Sequence, residues 1–199
     1  PAIFAMVAEF RQLDADTPIV LMGYLNPIER RGWQWYAEQA ATAGVDALLI
    51  VDLPPEEAAS VRALLNAQGL QLISLLAPTT DDSRLTLACS QAQGYLYYVS
   101  MTGVTGKDLA QSGDLVRRVG DIRAAAPVPV YVGFGIKDAD TAKACAAFAD
   151  GVIVGVEVAD ASRYGTLAAD STGRLIGFAE KRPGAGVINN QPRNSSEGD

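Results

Sequence analysis

Histidine is absent from this 199-residue sequence, and cysteine occurs only twice. Without histidine the chain cannot form a Ser-His-Asp triad or a Cys-His pair, and a typical zinc site is disfavoured. Acid–base chemistry must then come from carboxylates, tyrosines or lysines. Cys89 and Cys145 lie in alanine- or leucine-rich helical segments, a pattern typical of small buried side chains and not of a disulfide framework. We therefore expect no metal site and a reducing, cytoplasmic setting.

Basic residues are in the minority, and long apolar runs are missing. The 16 lysines and arginines face 23 acidic residues, so we expect no basic surface for nucleic acid or anionic lipid. No apolar run approaches the roughly 20 residues that span a bilayer, and no signal peptide opens the chain. We expect neither a nucleic-acid partner nor a membrane partner. Because the sequence begins at Pro1 and not at a methionine, we also expect it to be a fragment.

Six short aliphatic runs recur along the chain, each following an amphipathic segment. Unbroken apolar runs without in–out alternation are typical of parallel strands that are covered on both faces. The segments between the runs predict helices, for example at 33–44 and 54–69, each of which ends in a glycine. The pattern indicates repeated βα units. The predicted strands are 18–25, 46–53, 70–77, 94–100, 128–135 and 150–155.

Two parallel architectures fit this pattern, an open doubly wound sheet and a closed (β/α)8 barrel. No GxGxxG or GxxxxGK[ST] motif occurs, which weakens the open nucleotide-binding sheet. Polar residues and glycines gather at the carboxyl ends of the predicted strands, where barrels place their sites. After Gly155 the pattern changes to short alternating pieces around a D-S-T-G turn. We predict an α/β fold, an incomplete (β/α)8 TIM barrel with six of eight strands and a C-terminal β-rich appendage.

The densest candidate site is the segment S-M-T-G-V-T-G-K-D at 100–108. Its glycines and hydroxyls can offer several donors to an anion such as phosphate, although a long surface loop explains the same residues. Gly133 and Gly135 end a predicted strand just before a helix. Their missing side chains would let the backbone approach a ligand, or would let strand and helix pack closely. Gly155 belongs to the same class.

Asp52 and two adjacent tyrosines are further candidates. Asp52 follows the second predicted strand, where a carboxylate could orient a substrate or hold a proton. The alternative is an N-cap for a helix that starts at Pro54 or Pro55. Tyr97 and Tyr98 are neighbours on one strand, so only one of them can point into a barrel. Burial in the core is the default role for both, and contact with a ligand is the alternative.

Five further stretches form a recognisable series: 18–28 (PIVLMGYLNPI), 44–58 (GVDALLIVDLPPEEA), 78–82 (PTTDD), 94–106 (GYLYYVSMTGVTG) and 128–144 (VPVYVGFGIKDADTAKA). In this order and spacing they resemble the tryptophan synthase alpha subunit family. The most specific part is the S-x-T-G-V-T-G loop followed by G-F-G-I, and the resemblance covers roughly residues 1–155. It implies a (β/α)8 lyase of tryptophan biosynthesis that cleaves indole-3-glycerol phosphate to indole and glyceraldehyde 3-phosphate without a cofactor. It also implies a pyridoxal-phosphate beta subunit as the partner that receives indole.

The resemblance implies a phosphate site made of loop residues. Thr105 and Gly106 would belong to the mobile loop and to the edge of the substrate phosphate. Gly135 and Gly155 would present backbone to that phosphate. The first two residues lie within the 100–108 segment, and the other two follow later strands.

The resemblance also implies roles at the opposite end of the substrate and at a subunit interface. Tyr97 would line the indole pocket, and Asp52 would lie at the strand mouth near the substrate. Asn26 and Pro27 would face the beta subunit. No residue of the chain is implied as a metal ligand.

The catalytic carboxylates of this family are not among the 199 residues. The family's glutamate ends the second barrel strand and its aspartate lies in the next loop, within E-L-G-x-P-F-S-D-P-x-A-D-G-P, and nothing of that kind occurs here. The catalytic residues would therefore precede Pro1. Because general acid–base groups contribute about 10²–10⁴-fold each, we expect the chain as given to be inactive, with a binding shell alone.

Residues 156–190 depart from the family pattern. Their S-R-Y-G and D-x-x-G-R-x-x-x-F-x-E-K elements, followed by Ile188 and Asn189 of an I-N-x-G pattern, resemble an internal stretch of sugar-phosphate nucleotidyltransferases, whose nucleotide loop and metal-binding aspartate are absent. We predict a partial barrel domain at 1–155, a nucleotidyltransferase-like β segment at 156–190 and a disordered tail at 191–199. A non-catalytic module that docks a beta-type subunit or a second copy of itself is the alternative function, and a nucleotidyltransferase fragment is the third.

Overall fold

The computed structural model describes residues 2–99, 113–133, 136, 139–155, 166–169 and 175–179. The chain divides into two compact units, Pro1–Gly155 and Val156–Asp199. Three predicted site residues, Thr105, Gly106 and Gly135, lie outside the described residues. The same is true of most of the nucleotidyltransferase-like stretch and of the predicted tail.

The first unit alternates helices and strands as the sequence predicts. Its described helices are α1 (Ala2–Arg11), α2 (Leu25–Glu29), α3 (Trp33–Ala43), α4 (Ala58–Ala67), α5 (Asp82–Ser90), α6 (Gly113–Ala125) and α7 (Ala139–Ala146). Its described strands are β1 (Val20–Gly23), β2 (Ala47–Ile50), β3 (Gln71–Leu76), β4 (Leu96–Val99), β5 (Val130–Gly133) and β6 (Gly151–Ile153). Each of the six predicted strands is confirmed.

The six strands form one parallel sheet in the order β1-β2-β3-β4-β5-β6. A doubly wound open sheet reverses its strand order at an internal switch point, whereas a barrel keeps the sequence order around its circumference. Every neighbouring pair here is consecutive and parallel, for example Val20 opposite Ala47 and Tyr97 opposite Tyr131. The strand order therefore confirms a partial (β/α) barrel and excludes the doubly wound alternative for the described sheet.

Both faces of the sheet are packed. Alternate side chains of β2 point to opposite faces, so Leu48 and Ile50 join helix residues, while Ala47 and Leu49 join other strand residues. A second group of helix and strand residues, including Leu96 and Val130, covers the helix side of the later strands. All four residues of β2 and all four of β4 are buried, which explains why their sequences are unbroken apolar runs.

Helix ends follow the local chemistry, with one correction. Asp81 is the N-cap residue of α5, and its Oδ1 atom accepts the Arg84 N–H at 2.9 Å, the usual role of aspartate at this position. Gly44 ends α3 with φ +90°, a left-handed conformation that glycine adopts without strain. The predicted helix from 54 is wrong at its start, because Pro54–Pro55 enters a turn that closes with Ala58 N–H on the Pro55 carbonyl at 3.3 Å.

The second unit contains a pair of antiparallel strands among its described residues. β7 (Thr166–Ala169) pairs with β8 (Leu175–Ala179), with an irregularity in register between Ala168 and Ala169. The strands coincide with the two alternating pieces of the sequence, so the β-rich character predicted for this region is confirmed.

Candidate functional site

The carboxyl ends of the strands carry Asp52 and a shallow cavity. Asp52 lies two residues after β2 and is exposed. Its Oδ1 atom accepts the backbone N–H of Leu25, the first residue of α2, at 2.7 Å. The alternative in which Asp52 caps a helix starting at Pro54 or Pro55 is wrong, because α4 begins at Ala58. Asp52 caps the neighbouring helix instead, and so fixes the loop that leaves β1.

A cavity of about 230 Å³ opens between the loops that follow β2 and β3. It is lined by five apolar residues and by three polar ones, Asp52, Thr80 and Arg84. The Thr80 hydroxyl oxygen accepts the Ala77 N–H at 2.9 Å, which holds the loop after β3. Sequence reasoning did not single out Thr80 or Arg84 as site residues, although Thr80 lies within the 78–82 stretch. The remaining wall residues are Val51, Leu53, Pro54, Pro55 and Leu75.

An ion pair beside this cavity joins the loop after β2 to α5. The Nε atom of Arg84 donates to Glu56 Oε1 at 2.7 Å, and Asp81 Oδ2 lies 4.0 Å from the same nitrogen. This hydrogen bond holds the pKa of Glu56 below its ordinary value and raises the pKa of Arg84. The side chains of Arg84 and Glu56 are about half exposed, so water screens the attraction. The pair orders the rim of the cavity more than it stabilises the fold.

Asn26 and Pro27 lie side by side in the first turn of α2. Both are exposed, and the Asn26 carbonyl accepts the Arg30 N–H at 3.1 Å. Proline is compatible with this position because first-turn N–H groups have no partner within the helix. The Asp52–Leu25 hydrogen bond thus presents these two residues next to the strand mouth.

Tyr97 points to the inner face of the sheet and Tyr98 to the helix side. Tyr97 groups with Ala47, Leu49, Ile73 and Val99, all strand residues, and only 7% of it is exposed. The prediction that one of the two tyrosines points inward is therefore confirmed. Burial raises the pKa of Tyr97, and neighbouring Tyr95 raises it further, so the phenol stays neutral.

Gly133 has a role that sequence reasoning did not identify. A Cβ atom on Gly133 would lie 2.5 Å from Cε2 of Tyr97, so the absent side chain makes room for this ring. Neither of the two explanations offered by the sequence, approach to a ligand or packing of strand on helix, describes this contact. Glycine one strand away from an inward tyrosine is the signal that could have indicated it.

Gly155 follows β6 and is exposed, with no atom within 4 Å of the position a Cβ would take. The structure thus brings Asp52 close to the helix of Asn26 and Pro27, and places Tyr97 on the inner face. It does not bring Gly155 into contact with any of them. Among the described residues, no three histidine, cysteine, aspartate or glutamate side chains are grouped closely enough to hold a metal ion. No helix within the described ranges has the length and apolarity to span a membrane.

The described fold and site define a class of protein: a parallel β/α barrel sheet whose polar residues gather at the carboxyl ends of its strands. Residues 1–172 match the family model of the tryptophan synthase alpha chain. The chain belongs to this family. The matched region continues beyond Gly155 and includes β7.

Relatives and solved structures agree with this assignment. The tryptophan synthase alpha chain of Xanthomonas campestris pv. campestris is 53% identical over 165 residues, which cover 80% of this chain and 61% of that protein. The alpha chain of Xanthomonas oryzae pv. oryzae is 55% identical over 154 residues, which cover 77% of this chain and 58% of that one. This chain thus spans about three fifths of the length of these relatives.

The fold is similar to those of solved alpha chains. The crystal structure of the alpha chain from Legionella pneumophila is 45% identical, with a TM-score of 0.67 over 77% of this chain and 56% of that chain. A structure of the tryptophan synthase α2β2 complex from Pyrococcus furiosus contains a chain that is 34% identical, with a TM-score of 0.68 over 76% of this chain and 61% of that one. These similarities support the partial barrel seen in the strand order.

Proposed function

We propose that this chain forms a substrate-binding shell of the tryptophan synthase alpha type. The substrate is indole-3-glycerol phosphate, which a lyase of this kind cleaves to indole and glyceraldehyde 3-phosphate in tryptophan biosynthesis. The observation that carries the proposal is the position of Tyr97, whose neutral ring lies on the inner face beside Gly133 and among apolar strand residues. Such a surface suits the flat, apolar indole ring.

The phosphate end of the substrate is assigned to glycines and a hydroxyl. Thr105, Gly106, Gly135 and Gly155 are the proposed residues, of which only Gly155 is described. Gly155 is exposed and open at the carboxyl end of β6, so a phosphate can reach its backbone N–H. Barrels commonly hold phosphate after their last two strands, which agrees with this location.

Asp52 is proposed as a positioning residue near the substrate. One carboxylate oxygen accepts the Leu25 N–H, so the side chain links the mouth of β2 to the start of α2. Asn26 and Pro27 are then presented to a beta-type subunit. The α2β2 complex of Pyrococcus furiosus, whose alpha chain is similar to this one, supports a partner of this kind.

Cleavage of indole-3-glycerol phosphate by these 199 residues is proposed to be very slow. The retro-aldol step breaks the bond between indole C3 and the glycerol chain, moves a proton to C3 and removes one from the glycerol hydroxyl that becomes the aldehyde. The family stretch that carries the catalytic glutamate and aspartate does not occur in the 199 residues. Neither Asp52, which is engaged with Leu25, nor the neutral Tyr97 replaces such a pair.

A second candidate function is a non-catalytic module that docks a beta-type subunit or a second copy of this chain. It is favoured by Met22, which lies on β1 at one edge of the described sheet and is 59% exposed. Open strand edges with apolar side chains tend to associate. We also propose a cytoplasmic setting, because Cys89 and Cys145 are free thiols and disulfides are rare in that compartment.

Titration with indole-3-glycerol phosphate tests the proposed function. We expect saturable binding by isothermal calorimetry, weakened about tenfold or more in Tyr97→Leu because a stacking surface is lost. Tyr98→Phe, on the opposite face, is the matched control and should bind as the parent does. Association with a beta subunit without any binding of indole-3-glycerol phosphate would favour the docking module instead.

A further inference from the structure

Three tyrosines share the inner face around β4 and β5. Tyr95 comes just before β4, and Tyr97 lies two residues further on, so both point to the same side. Tyr131 of β5 is the direct cross-strand partner of Tyr97. The rings of Tyr95 and Tyr131 stack with centroids 4.7 Å apart and an interplanar angle of 18°. This is an offset aromatic pair with a defined orientation.

A glycine on the next strand accommodates each of two rings. A Cβ atom on Gly151 would lie 2.8 Å from Cδ1 of Tyr131, as one on Gly133 would lie within 2.5 Å of the Tyr97 ring. Real Cβ atoms do not approach other heavy atoms so closely, so each ring occupies space that any other residue would fill. Gly151 is also the register partner of Tyr131. The position of Tyr131 therefore depends on the residue at 151.

Tyr95 lies two residues nearer the amino ends of the strands than Tyr97, and its ring stacks on the ring of Tyr131. The Tyr131 ring is therefore turned toward Tyr95, and the stacked pair lies on the amino-end side of Tyr97. Barrel interiors are filled by layers of side chains. Tyr95 and Tyr131 are each partly exposed on this face, whereas Tyr97 is buried. A ligand that enters from the carboxyl ends and contacts Tyr97 meets the Tyr95–Tyr131 stack next.

We propose that Tyr131 determines substrate specificity by forming, with Tyr95, the floor of the chamber that receives the indole ring. This inference rests on the proposed function and adds the residue that limits how deep the aromatic ring can enter. The floor is a flat aromatic surface, so it supports an unsubstituted bicyclic ring and excludes one with an added methyl group that points downward. Tyr131→Leu removes the plane and lowers the floor.

Binding of ring-methylated indoles tests the proposal. The probes are indole and the four methylindoles substituted at ring positions 4 to 7, and the readout is the dissociation constant measured by ligand-observed NMR. In Tyr131→Leu we expect the affinity for at least one methylindole, relative to indole, to rise about tenfold, the size of a one-methyl discrimination. Tyr131→Phe preserves the stack and should keep the parent's preferences within about twofold.

A second variant shifts the preference in the opposite direction. Gly151→Ala brings a methyl group against the Tyr131 ring and raises the floor, so every methylindole should lose affinity relative to indole. A change of all five dissociation constants by one common factor in both variants would overturn the role of Tyr131, since a merely structural effect does not alter ratios. If the parent chain does not bind indole, the proposed function and this inference both fail. If the parent chain binds indole but the affinity ratios stay the same in both variants, this inference alone fails.

Discussion

Single glycines on the inner face decide where the tyrosine rings lie. The Tyr97 ring occupies the space that a side chain at position 133 would fill. The Tyr131 ring likewise occupies the space that a side chain at position 151 would fill. Buried side chains in a close-packed interior cannot move aside freely, so one added methyl group is felt. The conformation of the proposed indole-binding face is therefore encoded as much by the absence of side chains on β5 and β6 as by the tyrosines.

Gly133→Ala is predicted to displace the Tyr97 ring and to destabilise the protein by about 1–3 kcal/mol, the usual effect of overpacking. Urea unfolding monitored by circular dichroism measures this change. Tyr97→Leu removes the ring that the methyl group meets, so the double variant should be more stable than the sum of the two single changes predicts.

Gly120→Ala provides the matched control for this experiment. Gly120 is exposed within α6, and no atom lies within 4 Å of its Cβ position. Alanine there should stabilise the helix by about 0.5–1 kcal/mol. Strict additivity of Gly133→Ala and Tyr97→Leu would contradict the proposed contact.

Sequence reasoning located Asp52 and the inward orientation of Tyr97 but not what they contact. The alternation of side chains on a strand predicts direction without tertiary knowledge. The Asp52–Leu25 hydrogen bond and the Glu56–Arg84 pair each join residues 27 or 28 positions apart in sequence. Such contacts depend on how neighbouring βα units pack, and no local pattern specifies them.

At the scale of elements, a repeated clamp ties helices to strands at the amino ends of the sheet. Asp46 precedes β2 and accepts the Ile19 N–H at 2.7 Å and an Arg11 N–H at 2.6 Å. The Nε atom of Arg11 also donates to the Gly44 carbonyl at 2.8 Å. One aspartate–arginine pair thereby joins α1, the residue before β1 and the entry to β2.

The same arrangement recurs at the other edge of the described sheet. Asp150 precedes β6, accepts the Val130 N–H at 2.9 Å and pairs with Arg123 of α6 through Nε at 3.0 Å. Arg123 also donates to the Phe148 carbonyl at 3.2 Å, two residues before the aspartate, as Gly44 is two before Asp46. Because the helices and strands are equivalent in the βα repeat, an aspartate–arginine pair links a helix to two neighbouring strands at both edges of the described sheet.

The Asp150 clamp predicts acid sensitivity. Its hydrogen bond with Arg123, and secondly that with Val130, lower the pKa of Asp150 below the ordinary value of about 3.9. The carboxylate therefore stabilises the fold above that value, and this stability is lost as pH falls through the lowered pKa. Asp150→Asn should lose less stability than the parent between about pH 5 and pH 2 in urea unfolding.

Asp121→Asn removes an exposed carboxylate from the same helix as Arg123 and serves as the control. It should leave the acid-induced loss close to that of the parent. An equal loss in Asp150→Asn and the parent would exclude the clamp as a source of acid sensitivity.

The sequence predicted every strand of the parallel sheet because unbroken apolar runs carry a strong signal. The start of α4 was predicted less well, since acidic residues after Pro54 and Pro55 imitate a helix N-terminus while the two prolines form a turn. Hydrophobic pattern therefore locates elements, and backbone restrictions at proline set their ends.

At the scale of the whole molecule, two compact units share one chain, and the family match runs through residue 172. The nucleotidyltransferase-like segment at 156–190 stays a prediction. The repeat period, the missing nucleotide motif and the strand-end polar residues were sufficient to predict a partial barrel. The residues that follow Gly155 lack such a period, so their role was not predictable from pattern alone.

Limited proteolysis tests the division into two units. Trypsin can cut after Arg163, within the second unit and outside the βα repeat. We predict that brief digestion cuts the second unit before it cuts at Arg62, Arg118 or Arg123, as peptide mass mapping measures, because these arginines are hydrogen-bonded within closely packed βα units. Earlier cleavage within α3 to α7 would contradict the compactness of the first unit.

The release of indole from indole-3-glycerol phosphate tests the central proposal, that these 199 residues form a tryptophan synthase alpha-type binding shell without an acid–base pair of their own. It is measured with and without a beta subunit, against an intact alpha chain as the positive control. Loss of two general acid–base groups predicts a rate lower by about 10⁴-fold or more in both conditions, while the substrate still binds. Indole release within tenfold of the intact chain would contradict the account.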